Sequence, residues 1–476
     1  MDYRSFIAGE WVASGGGIPN VNPSDISDIL GHAAQAETGD MDRAIDAARD
    51  AASVWAASTP QQRFDVLDFV GSEILARKEE LGRLLSREEG KTLAEGIGEA
   101  ARAGQIFKFF AGEALRQSGD ILASVRPGVG VEVTRWPVGV VGLITPWNFP
   151  IAIPAWKTAP ALAFGNAVVL KPAELVPASA HALAEVLSRS GLPDGVFNLV
   201  IGKGSVVGRR MIDSAKVDAI SFTGSVATGR SIAADCGVTM KKLQLEMGGK
   251  NPMVVLDDAD LDIAVAASLN GAFFSTGQRC TASSRLIVTE GIYDRFVAAL
   301  SDRMAALKVG HALEAETQIG PVVDDRQMEQ NLRYLEIAAD DGGTVAGGKR
   351  RTLKHDGFYM APALVTDTTN DMRINREEVF GPVASVIRVR DYDEALAVAN
   401  DTEFGLSAGI CTASLKHAAH FKAASQAGMV MVNLPTAGVD YHVPFGGTKG
   451  SSFGPREQGR YAAEFFTRVK TSYTQP

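Results

Sequence analysis

Cysteine is scarce in this chain of 476 residues, and long apolar runs and an excess of positive charge are missing. The three cysteines, Cys236, Cys280 and Cys411, are odd in number and widely spaced, which excludes a disulfide framework and a clustered zinc site. No run of 18 apolar residues occurs, and Asp2 and Arg4 charge the N-terminus, so neither a transmembrane helix nor a signal peptide is predicted. We expect a cytoplasmic protein without a metal site.

The charge balance is acidic. With 47 Lys and Arg residues against 56 Asp and Glu residues, the formal net charge is −9. Such a chain has no broad positive field to attract the phosphates of nucleic acid or of an anionic membrane. We therefore expect neither of these as a partner.

Apolar periodicity predicts an α/β fold in a chain that is too long for one core. After a helical N-terminal part, short β-branched runs alternate with helical patterns, which is typical of a parallel sheet covered by helices on both faces. We predict a doubly wound, Rossmann-like domain over 1–117 and 138–247, and a second α/β domain over 248–459. The remaining segments, 118–137 and 460–476, contain alternating stretches that resemble strands with one solvated face.

Only one cysteine lies among polar, turn-forming residues. Cys411 lies in the apolar stretch "GLSAGICTA" and Cys236 closes a helical pattern, so both are predicted to be buried and structural. Cys280 lies in "FFSTGQRCTASSR", directly after Arg279. A neighbouring cation can lower the pKa of a thiol and favour the nucleophilic thiolate. Cys280 is therefore the candidate nucleophile, and a small apolar residue that lies in a loop is the alternative.

Two further motifs place polar side chains at the ends of strands. In "PWNFP", two prolines restrict Asn148, whose amide can donate to a developing oxyanion; a buried aromatic turn is the alternative. In "LQLEMGGKN", Glu246 follows Leu243 and Leu245. Partial burial would raise the pKa of this carboxyl toward the range of a general base, and a surface glutamate is the alternative.

Glycine-rich turns give weaker signals for a nucleotide. The stretch at 202–208, "GKGSVVG", is one residue longer than the dinucleotide fingerprint. The stretch at 222–229, "FTGSVATG", links a strand to a helix, and its backbone N–H groups are either an anion site or an ordinary turn. "KPAE" places Lys171 and Glu174 past a strand, where ligands bind in open sheets, or where a solvated ion pair would lie.

Seven blocks, taken in order, resemble the aldehyde dehydrogenase superfamily. They are "PWNFP", "KPAE", "FTGS", "LEMGGKNP", "GQRC", "EEVFGPV" and "PFGGTKGS". The resemblance runs from about Phe6 to the C-terminal "VKT". It implies a cofactor domain, a catalytic domain and a small β oligomerisation domain, the last formed by 118–137 and 460–476. It also implies a homodimer or homotetramer.

The resemblance also implies roles for single residues. Cys280 is implied as the nucleophile, Glu246 as the general base, and Asn148, with the backbone N–H of Cys280, as the oxyanion donor. The implied cofactor is NAD or NADP; the carboxylate that faces the adenine ribose would repel a 2′-phosphate, which favours NAD. The implied cofactor-binding residues are Trp147, Lys171, Glu174, Gly204, Phe222, Gly224, Ser225, Thr228, Glu378 and Phe380.

The chemistry explains these roles. A thiolate adds to an aldehyde and gives a thiohemiacetal, whose oxyanion needs hydrogen-bond donors. Hydride transfer to the nicotinamide leaves a thioester, and Glu246 would activate the water that hydrolyses it. Members of the family that transfer the acyl group to coenzyme A lack this glutamate, so the resemblance implies a free acid as the product.

Within the family, "PWNFPIAIPAWKTAPAL" and "FFSTGQRCTASSRLIV" are most similar to enzymes that oxidise α-ketoglutaric semialdehyde (2,5-dioxopentanoate) to 2-oxoglutarate. The implied substrate-binding residues are Phe149, Trp156, Arg279 and Phe445. A guanidinium suits a planar carboxylate, so Arg279 either receives the carboxylate of the substrate or packs at its turn. Succinic semialdehyde and aromatic or aliphatic aldehydes are the alternatives. A non-enzymatic scaffold is disfavoured because the nucleophile, base and oxyanion donor are all present.

Overall fold

The computed structural model describes residues 2–476, and its N-terminal part is a group of four helices. Two of them begin with a capping box, in which the hydroxyl of Thr59 or Thr92 accepts a hydrogen bond from a backbone N–H of the first turn. The four helices are Thr38–Ala56, Pro60–Ala76, Lys78–Glu89 and Leu93–Leu115. The last helix reaches the candidate site.

The first large sheet has eight strands, five of them in a parallel central block. In spatial order the strands are Ser452–Phe453, Lys242–Glu246, Ala219–Thr223, Val140–Ile144, Ala167–Lys171, Phe197–Leu199, Ser5–Ile7 and Glu10–Val12. The first and fourth parallel strands in the chain, Val140–Ile144 and Ala219–Thr223, are neighbours. The strand order reverses at this point, so a crevice for a ligand opens at the carboxyl ends of these two strands.

Helices cover both faces of this sheet, as the doubly wound prediction requires. They are Ala152–Ala163, Pro177–Ser188, Arg209–Asp213 and Val226–Thr239, with a π-helical turn at Gly204–Gly208. Every residue of Ala152–Ala163 is buried. The "PWNFP" turn, which precedes this helix, is therefore attached to the interior of the protein.

The second large sheet has seven strands, and all except the edge strand Thr344–Gly347 run parallel. The others are Ala363–Thr368, Val383–Val389, Ser283–Thr289, Asn251–Val255, Ser407–Cys411 and Met429–Val432. Its helices are Leu261–Phe273, Glu290–Ala305, Asp325–Asp340, Arg373–Arg376, Tyr392–Asn400 and Leu415–Ala424. Cys411 is buried here and Cys236 is buried beside the first sheet, as predicted.

A third, antiparallel sheet brings the two remaining segments together. Its strands are Asp120–Ala123, Gly130–Pro137 and Thr467–Thr474, with the second strand in the middle. The smaller elements are the strands Asp2–Tyr3, Ile18–Asn22, Asp25–Ala33, Phe404–Gly405 and Thr448–Lys449, the 3-10 turns Phe274–Gly277 and Arg460–Ala462, and the short helix Ala463–Phe466. Within residues 2–476, no helix combines the length and the apolar character needed to cross a membrane.

The division into domains stays a prediction, and one detail departs from it. The strand Ser452–Phe453 belongs to the segment that was assigned to the second domain, yet it pairs with Leu245 and Glu246 of the first sheet. The second segment therefore closes over the end of the strand that carries the candidate base.

Candidate active site

Cys280 lies where two cavities meet. One, of about 780 Å³, is also lined by Asn148, Glu378 and Phe380, and we call it the central cavity. The other, of about 910 Å³, is lined by aromatic and charged side chains, and we call it the aromatic cavity. The thiol can therefore be approached from two sides, as a residue that must meet both a cofactor and a substrate requires.

Three residues with a left-handed backbone conformation lie shortly before Cys280. Ser275 and Thr276 have φ angles of 51° and 55°, and Gly277 has a φ of +65°. A Cβ at Gly277 would lie 2.0 Å from the carbonyl oxygen of Gly381, so only glycine fits. Non-glycine residues in this region cost about 1–3 kcal/mol each and persist where the surroundings hold them. The tight turn directs the chain back toward the cavities.

Asn148 is buried and fixed by two contacts. Its Nδ2 donates to the backbone oxygen of Gln278 at 2.9 Å, and its own backbone oxygen accepts from Lys91 Nζ at 2.7 Å. Within residues 2–476, the second N–H of Asn148 Nδ2 has no recorded acceptor. Because Asn148 lines the central cavity beside Cys280, this N–H is available to an oxyanion formed at the thiol.

Glu246 lies at the end of its strand, almost completely buried. Its Oε2 accepts from Ser452 Oγ at 2.6 Å. Burial and then the nearby charge of Glu457 raise its pKa well above the usual carboxyl value. Glu246 lines neither of the two cavities around Cys280, so its side chain must rotate away from Ser452 to act at the thiol.

A buried ion pair lies behind Glu246, and sequence reasoning did not find it. Glu457 bonds the ammonium of Lys157 and accepts from Trp156 Nε1 at 2.6 Å. Lys157 Nζ also donates to Ser221 Oγ at 2.7 Å. Both charged side chains of the pair are almost fully buried. Each therefore needs an opposite charge or hydrogen bonds to offset its lost hydration. "REQG" could have indicated an acidic partner, but no local pattern links position 457 to position 157.

The surroundings of Cys280 do not lower the pKa of its thiol. Burial, followed by the charges of Glu378 and Glu246, raises this pKa to about 12. The cation of Arg279 is shared with Glu95, 3.4 Å away. In the protein without ligands, the cation of Arg279 therefore does not lower the pKa of the Cys280 thiol.

A third space, of about 1360 Å³, adjoins the central cavity, and we call it the outer groove. The two spaces share Trp147, Gly224 and Ser225. Between them they are lined by all ten predicted cofactor-binding residues: Trp147, Lys171, Glu174, Gly204, Phe222, Gly224, Ser225, Thr228, Glu378 and Phe380. An elongated ligand could therefore extend from the surface to Cys280.

The outer groove has the donors and acceptors that suit a dinucleotide. Ser225 caps the helix Val226–Thr239 by accepting from the backbone N–H of Thr228, so a helix N-terminus that suits phosphate borders the groove. Glu174 Oε1 accepts from Gly204 N at 2.8 Å, and buried Lys171 places its Nζ 3.9 Å from that oxygen. These two polar groups can meet the hydroxyls of a ribose.

The inner end of this path is held by backbone contacts. Glu378 Oε1 accepts from Gly249 N at 2.9 Å, and burial raises the pKa of Glu378 to about 7. Phe380 has a φ of 61°, and its ring meets Trp147 edge-on at 5.4 Å. Gln327 and Gln330 line both the central cavity and the outer groove; sequence reasoning missed them because they lie on an ordinary polar helix.

The aromatic cavity contains all four predicted substrate-binding residues: Phe149, Trp156, Arg279 and Phe445. The rings of Trp156 and Phe445 are 5.6 Å apart. Arg102 and Glu99, from the helix Leu93–Leu115, line the same cavity and were missed. In "GEAARAGQIF", Arg102 has the pattern of a solvated helix face, and only the packing shows that it points to the site.

The chain matches the model of the aldehyde dehydrogenase family over residues 11–472. The chain belongs to the aldehyde dehydrogenase family. It is 42% identical to the alpha-ketoglutaric semialdehyde dehydrogenase of Bacillus subtilis, with 100% of this chain and 98% of that protein covered. A betaine aldehyde dehydrogenase of Staphylococcus aureus in complex with NAD+ superposes with a TM-score of 0.97 at 34% identity, over 99% of this chain and 95% of that chain. An E. coli NADP dependent enzyme superposes with a TM-score of 0.96 at 36% identity, over 100% and 98%.

This membership confirms the predicted family and the aldehyde dehydrogenase fold. The roles of single residues stay predictions, which the geometry allows one to test. The most direct test concerns the protonation of the nucleophile.

We expect the alkylation of Cys280 by iodoacetamide, without cofactor, to increase about tenfold per pH unit from pH 7 to 10 with no plateau, because only the thiolate reacts. Glu378→Gln removes a negative charge, so it should lower the thiol pKa and speed the reaction at pH 8. The exposed Glu79→Gln serves as control. Peptide mass spectrometry separates Cys280 from the buried cysteines. A wild-type plateau below pH 9 would contradict the raised pKa.

Proposed function

We propose that this aldehyde dehydrogenase oxidises α-ketoglutaric semialdehyde to 2-oxoglutarate with NAD+ or NADP+. The observation that carries the proposal is a thiol between a groove suited to a dinucleotide and a cavity that combines aromatic walls with two arginines. The similarity to alpha-ketoglutaric semialdehyde dehydrogenase over the whole chain supports the choice of substrate. The neighbours with NAD+ and with NADP dependence support either cofactor.

In the proposed mechanism, the Cys280 thiol loses its proton to solvent water, and the thiolate Sγ then adds to the aldehyde carbon. Asn148 Nδ2 and the backbone N–H of Cys280 then donate to the oxyanion. Bound NAD(P)+ supplies the hydride acceptor. A thioester on Cys280 remains, and Glu246 takes a proton from the water that attacks it. Burial and the charge of Glu457 raise the pKa of Glu246, which makes it a stronger base than an exposed carboxylate.

Glu246→Gln should separate the two halves of this reaction. The amide cannot accept a proton, so we expect a burst of NAD(P)H close to one per active site, followed by turnover reduced about 100-fold or more. Stopped-flow absorbance at 340 nm measures both phases. Wild-type protein, which should show no such separation, is the reference. An unchanged steady-state rate would remove Glu246 from the mechanism.

A panel of aldehydes tests the substrate and the cofactor together. We expect kcat/KM to be highest for 2,5-dioxopentanoate. Its carboxylate can pair with the arginines of the aromatic cavity, which glutaraldehyde and benzaldehyde cannot do, and the similarity to alpha-ketoglutaric semialdehyde dehydrogenase favours it over succinic semialdehyde. We expect NAD+ to be preferred to NADP+, since Glu174 would repel a 2′-phosphate. Benzaldehyde as the best substrate would contradict the carboxylate hypothesis, and a preference for NADP+ would contradict the role of Glu174.

We also propose a homodimer or homotetramer. The third sheet exposes apolar side chains, among them Ile121, Trp136, Val469 and Tyr473, and its outer strands have unpaired edges. Both features favour a protein partner. Light scattering should give two or four times the chain mass of 50.3 kDa, and a monomer mass would contradict the proposal.

A further inference from the structure

We propose that Arg102, rather than Arg279, is the principal anchor for the carboxylate of the substrate. The inference rests on the proposed function and deepens it, because it identifies the residue that selects an aldehyde with a distant negative charge. Sequence reasoning pointed to Arg279, the residue before the nucleophile. The charges and contacts within the aromatic cavity point instead to the arginine of the helix Leu93–Leu115.

The charges around the aromatic cavity leave Arg102 without a counterion. Arg279 is paired with Glu95 at 3.4 Å, and Lys91 is paired with Glu99 at 2.7 Å. Within residues 2–476, Arg102 forms no ion pair; its Nη2 donates to the neutral Oε1 of Gln458 at 3.0 Å. Arg102 is only partly exposed, and Glu99 and Asp440 act on its charge from beyond ion-pair distance. An anion in the cavity would be its first direct charge partner.

Arg102 also retains free hydrogen-bonding capacity. Its Nε is buried and has no partner, and neither has the Nε2 of the fully buried Gln458 beside it. Unpaired buried donors are rare in native proteins and call for a specific explanation. The Arg102 side chain lines the aromatic cavity, so a carboxylate that enters this cavity could accept hydrogen bonds from its guanidinium.

The position of Arg102 suits a charge at the far end of the substrate. Cys280 packs against the apolar cluster that contains Phe445, whose ring lies 5.6 Å from that of Trp156. The Trp156 ring centroid lies 5.8 Å from the guanidinium carbon of Arg102. Phe445 and Trp156 therefore form a chain of contacts that links Arg102 to the neighbourhood of the thiol. An aldehyde carbon at Cys280 and a carboxylate at Arg102 would place the apolar middle of the chain against these rings.

The alternative anchor, Arg279, already uses its guanidinium in contacts with other side chains of the protein. Its Nη2 lies 3.4 Å from Glu95 Oε1, and its Nη1 lies 3.3 Å from Asn270 Oδ1. Glu95 Oε1 also accepts from the backbone N–H and the hydroxyl of Ser275, so it is fixed at this place. Arg279 thus supports the turn that carries Cys280, and a substrate carboxylate would have to compete with Glu95 for it.

The test compares two aldehydes of equal chain length, 2,5-dioxopentanoate and pentanal, in Arg102→Met. Loss of a buried charge partner should lower kcat/KM for 2,5-dioxopentanoate about 100-fold, mainly through KM, and should change kcat/KM for pentanal less than about threefold. Arg102→Lys, which keeps the charge without the planar fork, should fall between Arg102→Met and wild type. Arg83→Met removes an exposed arginine from the neighbouring helix and should match wild type on both aldehydes.

The outcomes separate the two proposals. Equal wild-type kcat/KM values for the two aldehydes would overturn the proposed substrate itself. A wild-type preference for 2,5-dioxopentanoate that survives in Arg102→Met would overturn the role of Arg102 alone. If Arg102→Met does not fold, Arg102→Lys decides: a preference reduced about tenfold supports the anchor, and an unchanged preference rejects it.

Discussion

The buried ion pair between Lys91 and Glu99 is the interaction on which the geometry of the site depends. Lys91 Nζ lies 2.7 Å from Glu99 Oε2 and donates to the backbone oxygen of Asn148 at the same distance. The other oxygen of Glu99 accepts from the backbone N–H groups of Ile151 and Ala152. One pair thus holds the turn that carries Asn148 and the start of the helix that follows. Removing one partner of such a pair costs about 3–5 kcal/mol, because a charge is left buried alone.

The same helix extends this support to the nucleophile. Glu95, one turn before Glu99, accepts from the backbone N–H of Ser275 at 2.7 Å and pairs with Arg279. Glu95 also accepts from Thr92 within its own capping box. Glu95 and Glu99 lie on one face of a rigid helix. The loop of Cys280 and the loop of Asn148 are therefore both held by this helix. This arrangement gives the relative placement that an oxyanion site needs.

Electrostatics at the centre of the site opposes the first step of the reaction. Cys280 and Glu378 line the central cavity, and burial and the charges of Glu378 and Glu246 raise the pKa of the thiol. A protonated thiol is protected from adventitious alkylation and oxidation. The same surroundings therefore disfavour the thiolate that the proposed mechanism requires.

The sequence by itself determined the alternation of strands and helices, the family, and the residues that lie within contiguous motifs. Cys280, Asn148, Glu246, Lys171 and Glu174 could be named because their motifs, taken in order, resemble those of the family; the local patterns alone left alternatives open. The residues that surround them in the structure could not be named from the sequence. Lys91, Arg102 and Glu457 reach the site from distant parts of the chain, and in sequence they have the pattern of solvated charges. Only the tertiary structure decided which charged side chains form ion pairs, because long-range packing leaves Arg102 without an ion-pair partner. Burial in the same structure sets the pKa of Cys280.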